Sequence, residues 1–102
     1  MDLLPKPIKF DWDKGNINKS VSKHRIKNEE VEEVFVSQPI VLLEDTKHSR
    51  IEQRQMILGR TDKKKLLSIV FTIRKNKIRV ISSRMMSRKE RRLYEEKTKR
   101  FA

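Results

Sequence analysis

The chain has 102 residues, no cysteine, and a formal net charge of +12 from 26 Lys and Arg residues against 14 Asp and Glu residues. Its length fits one domain with a thin core, spanning 1–102 with its ordered part at about 8–96. The lack of cysteine excludes disulfides and thiolate metal sites. The lack of a long apolar run or of a signal-peptide core predicts a cytoplasmic protein without a membrane partner.

The positive charge favours an anionic polymer as the partner, and nucleic acid is the commonest one. This charge is unevenly distributed along the chain. Residues 28–45 hold six acids and no base, whereas 46–76 hold nine bases against two acids and 77–102 hold ten bases against three acids. The chain therefore has one acidic stretch followed by a long basic one.

The N-terminal part is predicted to hold a short strand and a first helix. Two early prolines exclude helix at the start, and residues 8–10 fit a short strand. Residues 11–24 show helical spacing of apolar side chains, with Asp11 or Asp13 as the N-cap. His24 falls on the apolar stripe of this helix, where a histidine of the core is expected.

A second helix is predicted to begin at Asn28, a good N-cap, and to end before Pro39. Val31, Val34 and Phe35 have the spacing of its buried face.

The apolar period then changes to that of strands. Four strands are predicted, at residues 39–45, 51–59, 66–73 and 77–84. The third is almost entirely apolar, which is typical of a strand covered on both faces. The short connections between the last three strands fit hairpins, so they predict an antiparallel meander.

A C-terminal helix is predicted from the S-x-x-E pattern of Ser87 and Glu90, which is a capping box. It would run to about Lys97. The predicted fold class is therefore α+β, with a four-stranded antiparallel sheet, a possible short N-terminal strand, two N-terminal helices and one C-terminal helix.

Several stretches in a fixed order resemble the BrnT family of bacterial toxins of type II toxin–antitoxin systems. They are FDWD (10–13), KH (23–24), DTKHSRIEQRQMILG (45–59), VFTIR (70–74), RVISSR (79–84) and SRKERRLYEE (87–96). The resemblance implies a RelE-like fold and an endoribonuclease that cleaves mRNA, free or on the ribosome, and so inhibits translation. It also implies a BrnA-type antitoxin that neutralises the toxin in a heterotetramer, which binds promoter DNA.

The chain departs from the family pattern at four positions before residue 40. They are Asn16 for Lys, Ser20 for Asn, Arg25 for Gly and Gln38 for Asp. The glycine that the family usually has at position 25 indicates a turn with positive φ, so the first helix is expected to end differently here.

RNA cleavage without a metal or cofactor uses the 2′-hydroxyl of the substrate as nucleophile. It needs a group that moves protons and cations that stabilise the charge of the phosphoryl oxygens. Arginine suits the second task because its planar fork matches a phosphate. The candidate catalytic residues are His48, Arg54, Arg79, Arg84 and Tyr94. The analogy with RelE-like sites favours Arg79, Arg84 and Tyr94 among them.

Three of these candidates also have a structural alternative, and the sequence leaves both interpretations open. His48 fits a general acid or base by its ordinary pKa, but it also fits a side chain that fixes a turn. Arg54 fits a cation on an open sheet face or the partner of a nearby glutamate. Tyr94 fits a hydrogen-bond donor, a platform for an RNA base, or a side chain packed on the sheet.

Arg79 and Arg84 are five positions apart, which is an odd spacing. In a regular strand they would point to opposite faces of the sheet, so they can share a site only through a bulge or beyond the strand end.

Other basic residues are predicted to contact RNA phosphates without taking part in the chemistry. They are Lys63, Lys64, Lys65, Arg74, Arg88, Arg91 and Arg92. The acidic stretch 29–33 fits either a solvated helix face or a surface that receives a basic part of the antitoxin. The alternative function is a non-catalytic module that binds nucleic acid or the antitoxin. Composition alone does not distinguish this module from an endoribonuclease, because both need a basic surface.

Overall fold

The computed structural model describes residues 4–18, 24–44 and 53–99. The elements of this part are α1 (Asn28–Val36), β1 (Val41–Glu44), β2 (Gln55–Arg60), β3 (Leu66–Arg74), β4 (Lys77–Met85) and α2 (Arg88–Thr98). The α+β class and the four-stranded antiparallel sheet are confirmed. The described part holds two helices where the sequence predicted three.

The sheet has the order β1-β2-β3-β4, and each strand pairs antiparallel with the next. The predicted meander is therefore confirmed. The β3–β4 hairpin turns through Lys75 and Asn76, which both have positive φ (49° and 64°). Positive φ at both central residues is what a type I′ turn requires, and that turn matches the twist of the two strands.

One face of the sheet packs against α1 and against residues 4–18, which we call the N-terminal segment. Phe71 of β3 lies edge-on to Phe35 of α1, with ring centroids 5.0 Å apart. Gly59 lies inside β2, and a Cβ there would stand 2.7 Å from Cγ1 of Val34. The missing side chain thus lets α1 approach β2 closely.

The other face of the sheet packs against α2, through a smaller cluster that includes Leu58, Met86 and Tyr94. Burial of β3 is complete or nearly so at 67–69. The prediction of a strand covered on both faces is confirmed over those residues.

The predicted first helix is wrong over residues 11–18, because 11–13 form no regular structure and 14–18 form turns; residues 19–23 lie outside the described part. Local hydrogen bonds contribute to this difference. The backbone N–H of Asp13 donates to the side chain of Asn16, and the N–H of Gly15 donates to Oδ1 of Asp13, both at 2.8 Å. Short polar side chains that bind nearby backbone in this way compete with helix formation.

The predicted N-terminal strand is reduced to a single parallel bridge between Phe10 and Ile78 of β4. Two backbone hydrogen bonds flank it, from Asp11 N–H to the carbonyl of Ile78 and from Ile78 N–H to the carbonyl of Lys9. The N-terminal segment is thereby attached along the outer edge of β4.

The predicted N-cap of α1 is displaced by one residue. Lys27 is the N-cap, and its N–H donates to the carboxylate of Glu30 at 2.9 Å. Asn28 is the first helical residue, and its side chain donates to Asn18 instead. His24 is exposed, so its predicted place in the core is wrong.

Arg25 has φ of 57°, in the left-handed region that glycine favours. Its side chain is exposed, so Arg25→Gly removes little packing. Arg25→Gly removes the energetic cost of a positive φ, but glycine also adds conformational entropy to the unfolded chain. The net effect should be a free energy of unfolding that is higher by about 0.5–1 kcal/mol. Urea denaturation tests this. Lys63→Gly, at an exposed residue without positive φ, is the control and should not stabilise; an Arg25→Gly protein no more stable than wild type would contradict the expectation.

Candidate active site

A β-bulge in β4 decides where the two predicted catalytic arginines point. Val70 of β3 pairs with Ser82, whereas the next residue, Phe71, pairs with Val80, so Ile81 is the extra residue. Because of this extra residue, the side chains of Arg79 and Arg84 point to the same face of the sheet. The condition under which the two arginines can share a site is therefore met.

The register gives their separation on this face. Arg79 lies opposite Thr72, and Arg84 lies opposite Ser68. Since Ser68 and Thr72 are four residues apart on β3, the two arginine backbones are about 13 Å apart along the strand. They are thus placed to contact different groups of one extended ligand.

The face that carries them is the one on which α2 packs, and α2 contacts mainly β1 and β2. Over β3 and β4 this face is more open: Ser82 and Arg84 are exposed, and Val70 is half-buried. Arg54 stands one residue before β2, and the adjacent Gln53 carbonyl accepts a hydrogen bond from the Thr72 hydroxyl at 2.7 Å. We call the open β3–β4 area, with Arg54, Arg79 and Arg84, the arginine face.

Arg84 is held by Glu90, in the first turn of α2. Nη1 and Nη2 of Arg84 donate to the two carboxylate oxygens of Glu90 at 2.6 and 2.9 Å, and Nη1 also donates to the Met85 carbonyl at 3.2 Å. The side chain of Arg84 remains 45% exposed. The hydrogen bonds to Glu90 raise the pKa of Arg84, so it stays a cation.

The carboxyl of Glu90 has further partners. It accepts from the N–H of Ser87 at 2.8 Å and from the hydroxyl of Ser68 at 3.2 Å. Burial alone would raise the pKa of Glu90, but the hydrogen bonds from Arg84, Ser87 and Ser68 outweigh it and bring the pKa to about 2. Glu90 is therefore ionised throughout the neutral range.

Arg79 is held by the N-terminal segment. Its Nη1 and Nη2 donate to the two oxygens of Asp13, both at 2.9 Å, and Nη1 lies 3.6 Å from Asp11. Hydrogen bonding to Asp13 raises the pKa of Arg79, and the same contact, with the Gly15 N–H, lowers the pKa of Asp13. The Arg79 side chain is 15% exposed, so much of it serves to anchor the segment.

Comparison with protein families gives one match. The family described as "Ribonuclease toxin, BrnT, of type II toxin-antitoxin system" matches residues 12–90. The chain belongs to this family. No curated protein matches the chain. The matched range includes the arginine face, Asp13 and Glu90. As a ribonuclease toxin of a type II toxin–antitoxin system, this BrnT-family toxin has RNA as its substrate and an antitoxin as its partner.

Tyr94 packs in the small cluster beneath α2, with Val41 of β1 and Leu58 of β2. It is 4% exposed, and its hydroxyl donates to the Pro39 carbonyl at 2.7 Å. Burial raises the pKa of its phenol. This placement favours the packing interpretation of Tyr94 over stacking on an RNA base.

His48 lies outside the described residues, as does the glutamate considered as a partner for Arg54.

Most of the basic residues predicted to contact RNA lie at the surface of the protein. Exposed among them are Lys63, Lys64, Arg74, Arg88, Arg91 and Arg92. Lys65 is half-buried, and its Nζ forms an ion pair with Glu30 at 2.8 Å.

The acidic helix α1 is engaged within the chain. In addition to the pair of Glu30 with Lys65, Trp12 Nε1 donates to Glu32 at 2.7 Å, and the Asp62 N–H donates to Glu33 at 3.0 Å. Three of its carboxylates thus stabilise the fold, which weakens the idea of a surface kept for a basic partner.

Sequence reasoning identified Glu90 only as a capping residue and Asp13 only as a possible N-cap. The capping box is confirmed, because Ser87 Oγ accepts from the Glu90 N–H at 3.1 Å. The sequence did not predict that either carboxylate would also hold an arginine. The nearest indication was the Ser87–Glu90 pattern, which places a carboxylate shortly after Arg84 and so near the end of β4.

The low pKa of Glu90 predicts acid sensitivity. A carboxyl whose pKa is lower in the folded than in the unfolded state stabilises the fold above the unfolded value, near 4.5, and loses this effect as pH falls to about 2. Allowing for solvent screening around the half-exposed Arg84, we expect a loss of about 1–2 kcal/mol. Urea denaturation between pH 5.5 and 2.5 measures it. Glu90→Gln should show a smaller loss over this window, and equal losses in both proteins would contradict the assignment.

Proposed function

We propose that this BrnT-family toxin is a metal-independent endoribonuclease that cuts RNA at the arginine face. The 2′-oxygen of a ribose forms a bond to the adjacent phosphorus, and the bond from phosphorus to the 5′-oxygen of the next nucleotide breaks. The products are a 2′,3′-cyclic phosphate and a 5′-hydroxyl. One proton leaves the 2′-hydroxyl, and one is delivered to the departing 5′-oxygen.

The observation that carries this proposal is the bulge that brings Arg79 and Arg84 to one open face beside Arg54. Arg84 is the most exposed of the three and is fixed by Glu90, so it is the residue we assign to the phosphate that reacts. Fixed cations aimed at developing charge are typically the largest contribution to such catalysis. Arg79 and Arg54 would extend the positive surface along the strands.

Proton transfer needs a group that changes charge near neutral pH. Asp13 and Glu90 have lowered pKa values, so they are ionised there and are poor proton donors. His48 is therefore the residue we propose as general acid or base. The exposed cations on the β2–β3 hairpin and on α2 would hold flanking phosphates.

The test is digestion of RNA by the purified protein in the presence of EDTA, with mapping of the product ends. We expect cyclic-phosphate and 5′-hydroxyl ends, and no cutting where the attacking ribose is replaced by 2′-deoxyribose. Dependence on an added divalent metal would contradict the metal-free route. Tight RNA binding with intact RNA would favour the non-catalytic binding module instead.

The proposed cellular role is inhibition of translation in the cytoplasm, relieved by a cognate BrnA-type antitoxin. The family description supports an antitoxin of a type II system. We propose a heterotetramer that binds its promoter DNA. Co-purification, mass measurement of the complex and a DNA mobility-shift assay test this assembly; a complex of another stoichiometry would overturn it.

Neither helix of the described ranges is long and apolar enough to cross a membrane.

A further inference from the structure

Glu90 contacts three separate parts of the molecule at once. It binds Arg84 at the end of β4, the Ser87 N–H at the start of α2, and Ser68 in β3. We infer that Glu90 is a positioning residue, which fixes the guanidinium of Arg84 so that its free fork faces an RNA phosphate. This inference rests on the proposed cleavage at the arginine face.

The count of N–H donors supports this assignment. A guanidinium has five N–H donors. In Arg84 three of them are used within the described chain: one on Nη1 and one on Nη2 by Glu90, and the second on Nη1 by the Met85 carbonyl. The two that remain are the Nε–H and the second hydrogen on Nη2. They lie side by side, and this pair matches two oxygens of a phosphate.

Arg79 provides an internal comparison. Asp13 occupies the same pair of nitrogens on Arg79 as Glu90 does on Arg84. However, the Arg79 side chain is 15% exposed, against 45% for Arg84. The same geometry therefore leaves an accessible fork mainly on Arg84.

Glu90 is itself fixed, which a positioning residue requires. Its side chain is 15% exposed, and the reciprocal hydrogen bonds with Ser87 tie it to the first turn of α2. Rotation of its carboxylate would break the capping box as well as the contact with Arg84. Arg84 is thus held by a rigid helix start rather than by a mobile surface side chain.

Glu90→Gln separates the two tasks of this residue, because glutamine also serves in a capping box. The variant keeps the cap and loses the anionic partner of Arg84. We expect kcat for RNA cleavage to fall roughly 10- to 100-fold. A 2′-deoxy RNA, which cannot be cut, should bind as tightly or more tightly, because a negative charge near the phosphate is removed. A purely structural role would weaken both.

Three further variants complete the test. Glu95→Gln removes an exposed carboxylate from the same helix and should leave kcat unchanged. Ser87→Ala removes the hydroxyl that accepts from the Glu90 N–H but keeps the Ser87 N–H that binds the Glu90 carboxylate. It should lower the melting temperature and reduce kcat less than Glu90→Gln does. In an Arg84→Ala background, Glu90→Gln should change kcat less than about twofold, since Glu90 acts through Arg84.

Two results would overturn the inference. A Glu90→Gln enzyme that cuts as fast as wild type or faster would mean that Glu90 only neutralises Arg84. An undiminished effect of Glu90→Gln without Arg84 would mean that it acts elsewhere.

A readout independent of cleavage keeps this inference distinct from the proposed function. The NMR signal of the Arg84 Nε–H should shift on addition of inorganic phosphate to wild type and should move towards the position of a free arginine in Glu90→Gln. If wild type cuts no RNA but these shifts occur, the proposed function fails and the positioning stands. If the signal ignores phosphate or the substitution, the positioning fails.

Discussion

Arg84→Ala should lower the rate of RNA cleavage by roughly 100- to 1,000-fold, which is the typical effect of removing one fixed donor from a developing oxyanion. The reason is the position of Arg84 on the arginine face, with an exposed guanidinium aligned by Glu90. Cleavage of a defined RNA under single-turnover conditions measures the rate of the chemical step directly.

Two further substitutions make this prediction specific. Arg84→Lys keeps the charge but loses the planar fork, so it should recover only a small part of the rate. Arg91→Ala removes an exposed cation of α2 that is assigned to binding alone. It should weaken RNA binding and reduce the slope of binding against salt by about 0.7–0.9, with kcat nearly unchanged.

Arg84→Ala also leaves Glu90 without its cationic partner, so a folding defect must be separated from a catalytic one. Circular dichroism and thermal unfolding of each variant provide that separation. A folded Arg84→Ala protein that cuts within threefold of wild type would remove Arg84 from the site and leave Arg54 and Arg79 as the cations of the reaction.

The strands and the C-terminal helix could be predicted from the sequence because their signals are local. The apolar run predicted as a strand at 66–73 forms β3 at Leu66–Arg74, and the capping box at Ser87 begins α2. In both cases the residues that specify the element are the residues that form it. Fold class and strand order follow from such local patterns and short connections.

The segment at 11–18 could not be predicted in the same way. Its apolar spacing resembles a helix, yet Ile17 is 43% exposed and the chain turns instead. The determining contacts are those of Asp13 and Asn16 with nearby backbone and of Asn16 with the Val80 carbonyl, 64 positions away. No periodicity indicates a partner at that distance.

The same limit applies to the arginine face. Regular alternation places Arg79 and Arg84 on opposite faces of a strand, and one extra residue, Ile81, reverses this. The bulge is specified by how β4 pairs with β3, not by its own sequence. The pairing of Arg79 with Asp13, 66 positions away, also arises only when the sheet has formed.

Asn16→Ala should be among the most destabilising substitutions outside the apolar core. Asn16 is 5% exposed, its Nδ2 donates to the carbonyls of Asp11 and Val80 at 2.9 and 3.0 Å, and its Oδ1 accepts from the Asp13 N–H at 2.8 Å. Alanine leaves three backbone groups without these partners. The free energy of unfolding should fall by about 2–4 kcal/mol, and the melting temperature by roughly 10–20 °C.

Lys14→Ala is the matched control, because Lys14 is exposed in the same turn and should change stability by less than about 0.5 kcal/mol. Asn16→Asp is a second variant: it keeps the acceptor for the Asp13 N–H but points an oxygen at two carbonyls, so it should be at least as destabilising as alanine. If both variants unfold like wild type, Asn16 does not hold the segment. If both variants are destabilised, Asp13 should also lose its contact with Arg79, because Asp13 and Asn16 belong to the same turn.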